Sequence, residues 1–129
     1  MSAPYHLWNW YVGWGVLLAA FVSGAGLGLF FHDEHFWGGY ASLRRRLVRL
    51  GHIALAALGM VNLLFAFSPW PGHSQWQTTP ASIGWILGAL SMPASCFLTA
   101  WKDRFRPLFV VPVSLLILAA ILTLWGANP

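Results

Sequence analysis

The sequence predicts an all-α integral membrane protein, a four-helix transmembrane bundle that forms one domain over residues 1–129. Three observations lead to this prediction. Hydrophobic residues make up 58% of the chain and charged residues only 8%, whereas a soluble domain carries about 25% charged residues. The apolar residues form four runs long enough to cross a bilayer. Every charged side chain lies in one of two short stretches, 33–49 and 102–106.

The first predicted span covers residues 8–31 and contains no charged residue. At about 1.5 Å per residue it is long enough to cross a bilayer with some tilt. No basic residue precedes it and several arginines follow it, which is the reverse of a cleavable signal peptide. We therefore expect an uncleaved anchor whose N-terminus lies on the non-cytoplasmic side.

The other three predicted spans are residues 48–67, 82–101 and 108–125. The second span is expected to end where Pro69 follows Ser68, because proline cannot continue a helix. Pro93 lies inside the third span, where it removes one backbone hydrogen bond and favours a kink.

The distribution of basic residues predicts the orientation of the four spans. Lysine and arginine lie in and beside the loops 32–47 and 102–107, whereas the loop 69–81 carries no charge. The positive-inside rule then puts the two basic loops in the cytoplasm and both termini on the non-cytoplasmic side. We expect a multi-pass protein of a bacterial inner membrane. The net charge of +4 lies against the bilayer, so nucleic-acid binding is not expected.

Small residues predict how the helices meet. Gly24 and Gly28 form one GxxxG pair, and Gly84 and Gly88 form another. Such pairs allow two helix backbones to approach closely in lipid, either within the bundle or against another subunit. Asn62 is expected to form an interhelical hydrogen bond, because a side-chain amide in hydrocarbon needs a partner.

His52 is the one histidine within a predicted span, about one turn into the second helix. Ala56 and Gly59 follow it on the same helix face, which would leave a slot for a flat ligand such as haem b or a quinone. Neutral imidazole can ligate iron or bond to a quinone oxygen. The alternative is a histidine that forms a hydrogen bond with a neighbouring helix or with a lipid phosphate.

His32 and His35 lie at the end of the first span, at a predicted depth close to that of His52. Either histidine could supply the second axial ligand of a haem. With Glu34 and His52 they could instead hold a metal ion. The third interpretation is a solvated interfacial loop whose acidic residues pair with the arginines that follow.

The basic cluster Arg44, Arg45, Arg46 and Arg49 continues directly into the second helix. Its general role would be to orient the protein and to bind anionic lipids, with about 1 kcal/mol for each basic residue near the surface. A more specific role would be contact with a partner subunit or with haem propionates.

No acidic side chain lies within a predicted span, which argues against a self-sufficient proton-coupled exporter. The chain also lacks the constellations typical of an independent active site. We therefore expect no catalytic activity of its own. The predicted function is that of a small integral membrane subunit of a larger complex, a respiratory or photosynthetic electron-transfer assembly. The chain would act as a scaffold with a quinone or haem contact. The alternative is a self-assembling small transporter or pore.

Overall fold

The fold is all-α in the computed structural model, which describes residues 4–68 and 75–126. These residues contain no strand. Their elements are α1 (Pro4–Phe30), a 3-10 turn (Phe36–Gly38), α2 (Leu43–Phe67), α3 (Gln75–Trp101), a second 3-10 turn (Asp103–Phe109) and α4 (Val110–Gly126). Four helical segments are long and apolar enough to cross a membrane. The predicted fold class is thus confirmed.

Three helices begin earlier along the chain than the hydropathy pattern indicated, and the first of them, α1, begins at Pro4 instead of residue 8. α2 begins at Leu43 instead of residue 48, because the Ser42 side chain accepts a hydrogen bond from the backbone N–H of Arg45. Such a cap stabilises a helix start regardless of whether polar residues follow. α3 begins at Gln75, so the second half of the predicted loop 69–81 is helical. The first half of that loop lies outside the described residues.

The four helices form an open row. Each helix packs extensively on the one that follows it, α1 on α2, α2 on α3 and α3 on α4. α1 also touches α3 over a smaller area, whereas the extensive helix contacts of α4 are with α3 alone. α1 and α4 consequently present most of their apolar side chains to the surroundings of the chain.

Glycines allow close approach at each interface of the row. A Cβ atom on Gly59 of α2 would lie 3.0 Å from the carbonyl oxygen of Gly13 on α1. At the next interface, a Cβ on Gly51 would lie 2.8 Å from the ring of Phe97 on α3. Both distances are too short for a side chain, so these backbones and rings pack directly on glycine, as expected for helices that associate in lipid.

A buried network of polar side chains connects the first three helices. Asn9 and Asn62 are fully buried. The Asn9 amide Nδ2 donates to Asn62 Oδ1 at 2.8 Å, and the Ser82 hydroxyl donates to Asn9 Oδ1. Asn62 Nδ2 donates to the carbonyl oxygens of Leu58 in its own helix, at 2.9 Å, and of Trp85 in α3, at 3.2 Å. The Asn62 amide therefore finds its partners on both neighbouring helices.

The same network reaches α4 through the indole of Trp85. Its Nε1–H donates to Thr123 Oγ1 at 3.0 Å, and the Thr123 hydroxyl donates to the carbonyl oxygen of Ala119 at 2.7 Å. Because hydrocarbon offers no alternative partner to a polar group, this set of bonds fixes the register of all four helices.

Replacing Asn62 with alanine should lower the free energy of unfolding by about 1 to 2 kcal/mol, because Asn9 would lose its acceptor across the α1–α2 interface. Ser91→Ala is the control, since the Ser91 hydroxyl donates only to Leu87 of its own helix. The measurement is reversible unfolding in detergent, followed by far-UV circular dichroism. Equal stability of the two variants would show that the network does not hold the helices together.

Candidate functional site

His52 lies between α1 and α2, about two and a half turns from the start of α2. It is deeper within its helix than the sequence indicated, because α2 begins earlier. The imidazole is partly buried, and its Nδ1 lies 2.9 Å from the hydroxyl oxygen of Ser23 on α1. Gly24 makes room for the ring, since a Cβ there would lie 2.9 Å from His52 Cε1. The gap beside Gly24 is thus filled by the His52 ring, and the slot predicted beside Gly59 is filled by Leu17 of α1.

The hydrogen bonds of Ser23 favour one tautomer of His52. The Ser23 hydroxyl donates to the carbonyl oxygen of Ala20 at 3.0 Å. A hydroxyl has one proton, so while it points at Ala20 the Ser23 oxygen accepts the bond from His52, and the proton of the neutral ring is assigned to Nδ1. In neutral His52, Nε2 then carries the lone pair and is the atom able to ligate a metal or accept a hydrogen bond.

His32 and His35 remain apart from His52. Ser23, the partner of His52, lies seven residues before the end of α1 at Phe30, a rise of about 10 Å. Both histidines come after that end and are exposed. His32 Nδ1 lies 3.1 Å from the carbonyl oxygen of Leu29. The depth assumed from the sequence was too coarse, since His52 lies level with the middle of the second half of α1.

No metal centre is formed within the described residues. Nowhere in 4–68 and 75–126 do three histidine, cysteine, aspartate or glutamate side chains gather closely enough to hold a metal ion. The predicted set of His32, Glu34, His35 and His52 is therefore not assembled. His35 forms a local turn instead, in which its backbone N–H donates to Asp33 Oδ1 at 3.0 Å.

Arg45 is buried, whereas the sequence suggested that it lies at the surface with the rest of the basic cluster. It is 2% exposed, and its guanidinium donates to the carbonyl oxygens of Phe31, Asp33 and Glu34, which directly follow the end of α1. Its carbon Cζ lies 4.5 Å from the centre of the Phe31 ring. A cation favours the C-terminal end of a helix, so Arg45 links the start of α2 to the end of α1 and does not face lipid or a partner.

The other arginines of the cluster point outwards to different degrees. Arg49 is partly buried, donates to the carbonyl oxygen of Tyr40 at 3.2 Å and packs on its ring. Arg44 and Arg46 are exposed, so they are the residues positioned to meet an anionic headgroup or a partner. The acidic residues of the preceding loop offer Arg45 their backbone carbonyls and not their carboxylates.

The glycine pairs divide between internal and external faces. Gly84 and Gly88 pack on α4, where added Cβ atoms would meet Ala119 and Leu116. Gly24 packs on His52, whereas a Cβ on Gly28 would meet nothing within 4 Å. The Gly84 and Gly88 face is therefore used inside the chain, whereas α1 keeps open space beside Gly15, Gly26 and Gly28.

Sequence reasoning missed three residues that hold this arrangement. Asn9 and Ser23 complete the bonds of Asn62 and His52, and His6 Nδ1–H donates to the carbonyl oxygen of Ala66 at the end of α2, at 2.6 Å. The signal for Asn9 was its position within an apolar run, the same signal that identified Asn62. The pairing of Ser23 with His52 is a contact between helices that sequence spacing does not predict.

Comparisons of the chain with protein-family models, with curated proteins and with solved structures found no match.

Replacing Ser23 with alanine should release the fixed tautomer of His52, because Nδ1–H would lose its acceptor. Nitrogen-15 NMR of histidine-labelled protein reports the two ring nitrogens separately. The wild type should show a protonated Nδ1 and an unprotonated Nε2 for His52, and the variant a mixture of tautomers. A wild-type spectrum with the proton on Nε2 would overturn the assignment.

Replacing Gly24 with alanine should displace the His52 ring, because the new methyl group would lie 2.9 Å from Cε1. We expect a stability loss of about 1 kcal/mol from the broken bond to Ser23. Gly28→Ala is the matched control, and should be neutral or more stable by up to about 1 kcal/mol because alanine is the better helix former. Thermal unfolding in detergent distinguishes them, and a Gly24→Ala protein as stable as the control would contradict the close contact.

Proposed function

We propose that this chain is a scaffold subunit of a larger electron-transfer complex in a bacterial inner membrane, and that it contacts a haem or a quinol through His52. The observation that carries the proposal is an apolar groove between α1 and α3, at membrane depth, which other helices of the chain leave open.

The groove has a volume of about 410 Å³. Small residues form much of both walls, with Ala19 and Ser23 on α1 and Ala89 and Ala94 on α3, and Leu55 of α2 lies at its floor. The Asn9–Ser82 hydrogen bond joins α1 to α3 nearer the other end of these helices. The two helices therefore meet at one end and separate at the level of Ser23.

The wall on α1 continues beyond the groove in both directions. Gly15, Ala19, Val22 and Gly26 follow the spacing of one helix face, and a Cβ on Gly15 or Gly26 would meet nothing within 4 Å. Glycine costs a helix about 1 kcal/mol relative to alanine, and among the described residues no contact at Gly15 or Gly26 compensates this cost. Close approach by the helix of another subunit would compensate it.

The cofactor contact proposed for this face depends on His52. Ser23 lines the groove and accepts a hydrogen bond from His52 Nδ1–H, although His52 itself is not among the lining residues. Nε2 is then the acceptor nitrogen of the neutral ring. An acceptor nitrogen can ligate haem iron or accept a hydrogen bond from a quinol hydroxyl. It cannot donate to a quinone carbonyl, so the reduced carrier is the quinone species that fits. The chain itself supplies one imidazole, and a second axial ligand would come from a partner subunit.

The alternative of a self-assembling transporter or pore has less support. Its assembly would need a free small-residue face, and α4 already covers the face of Gly84 and Gly88. Self-assembly would then depend on α1 alone.

The test is purification from native membranes in mild detergent, with the co-purifying subunits resolved on a gel and a reduced-minus-oxidised spectrum recorded. We expect stoichiometric partner bands that weaken at least about tenfold in Gly26→Leu, because the added side chain blocks helix approach. Gly28→Leu is the matched control, since Gly28 also has open space beside it but points about 160° away from Gly26 around α1. A cytochrome α-band that vanishes in His52→Ala would assign the haem contact.

Two results would contradict the proposal. Partner bands that are equally strong in Gly26→Leu and in wild type would remove the α1 face as the docking surface. A chain that purifies alone as an oligomer, without an α-band, would favour the pore.

A further inference from the structure

A second groove lies at the arginine-rich end of the row, between the start of α2 and the end of α3. Its volume is about 550 Å³, and it is lined by Trp37, Arg44, Val48, Phe97, Ala100 and Trp101. We call it the arginine-end groove. It does not include His52, and its chemistry is independent of the function proposed above.

Two indole side chains stand at the sides of this groove. Trp101 ends α3 and is 71% exposed, and Trp37 is 49% exposed. Trp37 has φ 53° and ψ 40°, a left-handed conformation that bulky residues rarely adopt. Gly38 and Gly39 follow it with φ of 85° and 87°. The turn thus holds one indole beside the start of α2. Indoles prefer the headgroup level of a bilayer, which puts the groove at the boundary between headgroups and acyl chains.

The groove combines an apolar floor with a free cation. Val48, Phe97 and Ala100 offer only hydrocarbon, whereas Arg44 brings an exposed guanidinium. Within the described part of the chain, this guanidinium takes part in no hydrogen bond, ion pair or ring contact, in contrast to the neighbouring Arg45, which donates to three carbonyl oxygens. Arg44 is therefore available to an anion from outside the chain.

The surrounding charges favour an anionic ligand. All seven basic and all three acidic residues of the chain lie at this end, and none of the acidic residues lines the groove. The first turn of α2 contains no acidic residue. The buried charge of Arg45 adds to the positive potential, because its acceptors are neutral carbonyl oxygens. A soluble anion would satisfy Arg44 but would leave the apolar floor exposed to water.

We propose that the arginine-end groove binds one anionic phospholipid. Its phosphate accepts paired hydrogen bonds from the Arg44 guanidinium, a geometry that arginine provides and lysine does not. One acyl chain lies along Val48, Phe97 and Ala100, with Trp37 and Trp101 on either side at the level of the glycerol backbone.

Native mass spectrometry of the whole protein tests this proposal, with phosphatidylglycerol and phosphatidylcholine supplied in equal amounts. We expect the wild type to retain phosphatidylglycerol preferentially. Arg44→Gln should weaken that retention about tenfold, which reflects the loss of a basic contact and of charge-assisted hydrogen bonds. Because Arg44 is exposed and makes no hydrogen bond, ion pair or ring contact within the described residues, this variant should fold as the wild type does.

Arg46→Gln is the matched control. It removes the same charge two positions from Arg44, and Arg46 is exposed but does not line the groove. It should change retention by less than about twofold. Equal losses in the two variants would show general electrostatic attraction and overturn a defined site. Equal retention of the two lipids by the wild type would also overturn it.

A second measurement follows the acyl chain. Phosphatidylglycerol with brominated acyl chains should quench the fluorescence of the wild type more than that of Trp101→Phe, because Trp101 lies beside the chain. Excess inorganic phosphate should not displace the lipid, since it cannot fill the apolar floor. Displacement by phosphate, or identical quenching of both proteins, would mean that the groove does not hold an acyl chain.

Discussion

The hydrogen bond between Asn9 and Asn62 is the interaction on which the arrangement of the helices depends. Two side-chain amides in hydrocarbon each require partners, and within this chain they can meet only if α1 and α2 keep one register. Once they pair, Asn9 Oδ1 accepts from Ser82 on α3, and Asn62 Nδ2 donates both to the Trp85 carbonyl on α3 and to the Leu58 carbonyl of its own helix. The glycines at the helix crossings serve this geometry, since the amides can reach one another only when the backbones approach closely.

The number, type and approximate length of the helices could be predicted from the sequence, because hydrophobic length and charge placement act within each segment. The ends of the helices could not, since a local bond such as that of Ser42 extends α2 through a run of arginines that hydropathy assigns to a loop. Asn62 was identifiable as a residue in need of a partner. The identity of that partner, Asn9, depends on how two segments 53 residues apart align.

The same distinction explains the histidines. Depth estimated from hydropathy put His32, His35 and His52 in one layer. α2 begins five residues earlier than predicted, which places His52 deeper than the other two histidines. The role of Arg45 was also hidden, because a basic residue beside a membrane usually faces headgroups. Here the free carbonyl oxygens at the end of α1 offer a nearer set of acceptors, and a guanidinium can reach several of them at once.

The open row also sets the order in which the chain can assemble as it is synthesised. Every extensive contact joins a helix to one already made, so no segment has to wait for a distant sequence before it packs. The amides of Asn9 and Asn62 can pair as soon as the first hairpin enters the bilayer, and the third helix then closes the open positions of that pair. The last helix adds a polar bond from Trp85 to Thr123 and buries Pro112 and Ala119, so the row is completed by a helix that needs only α3 to be in place.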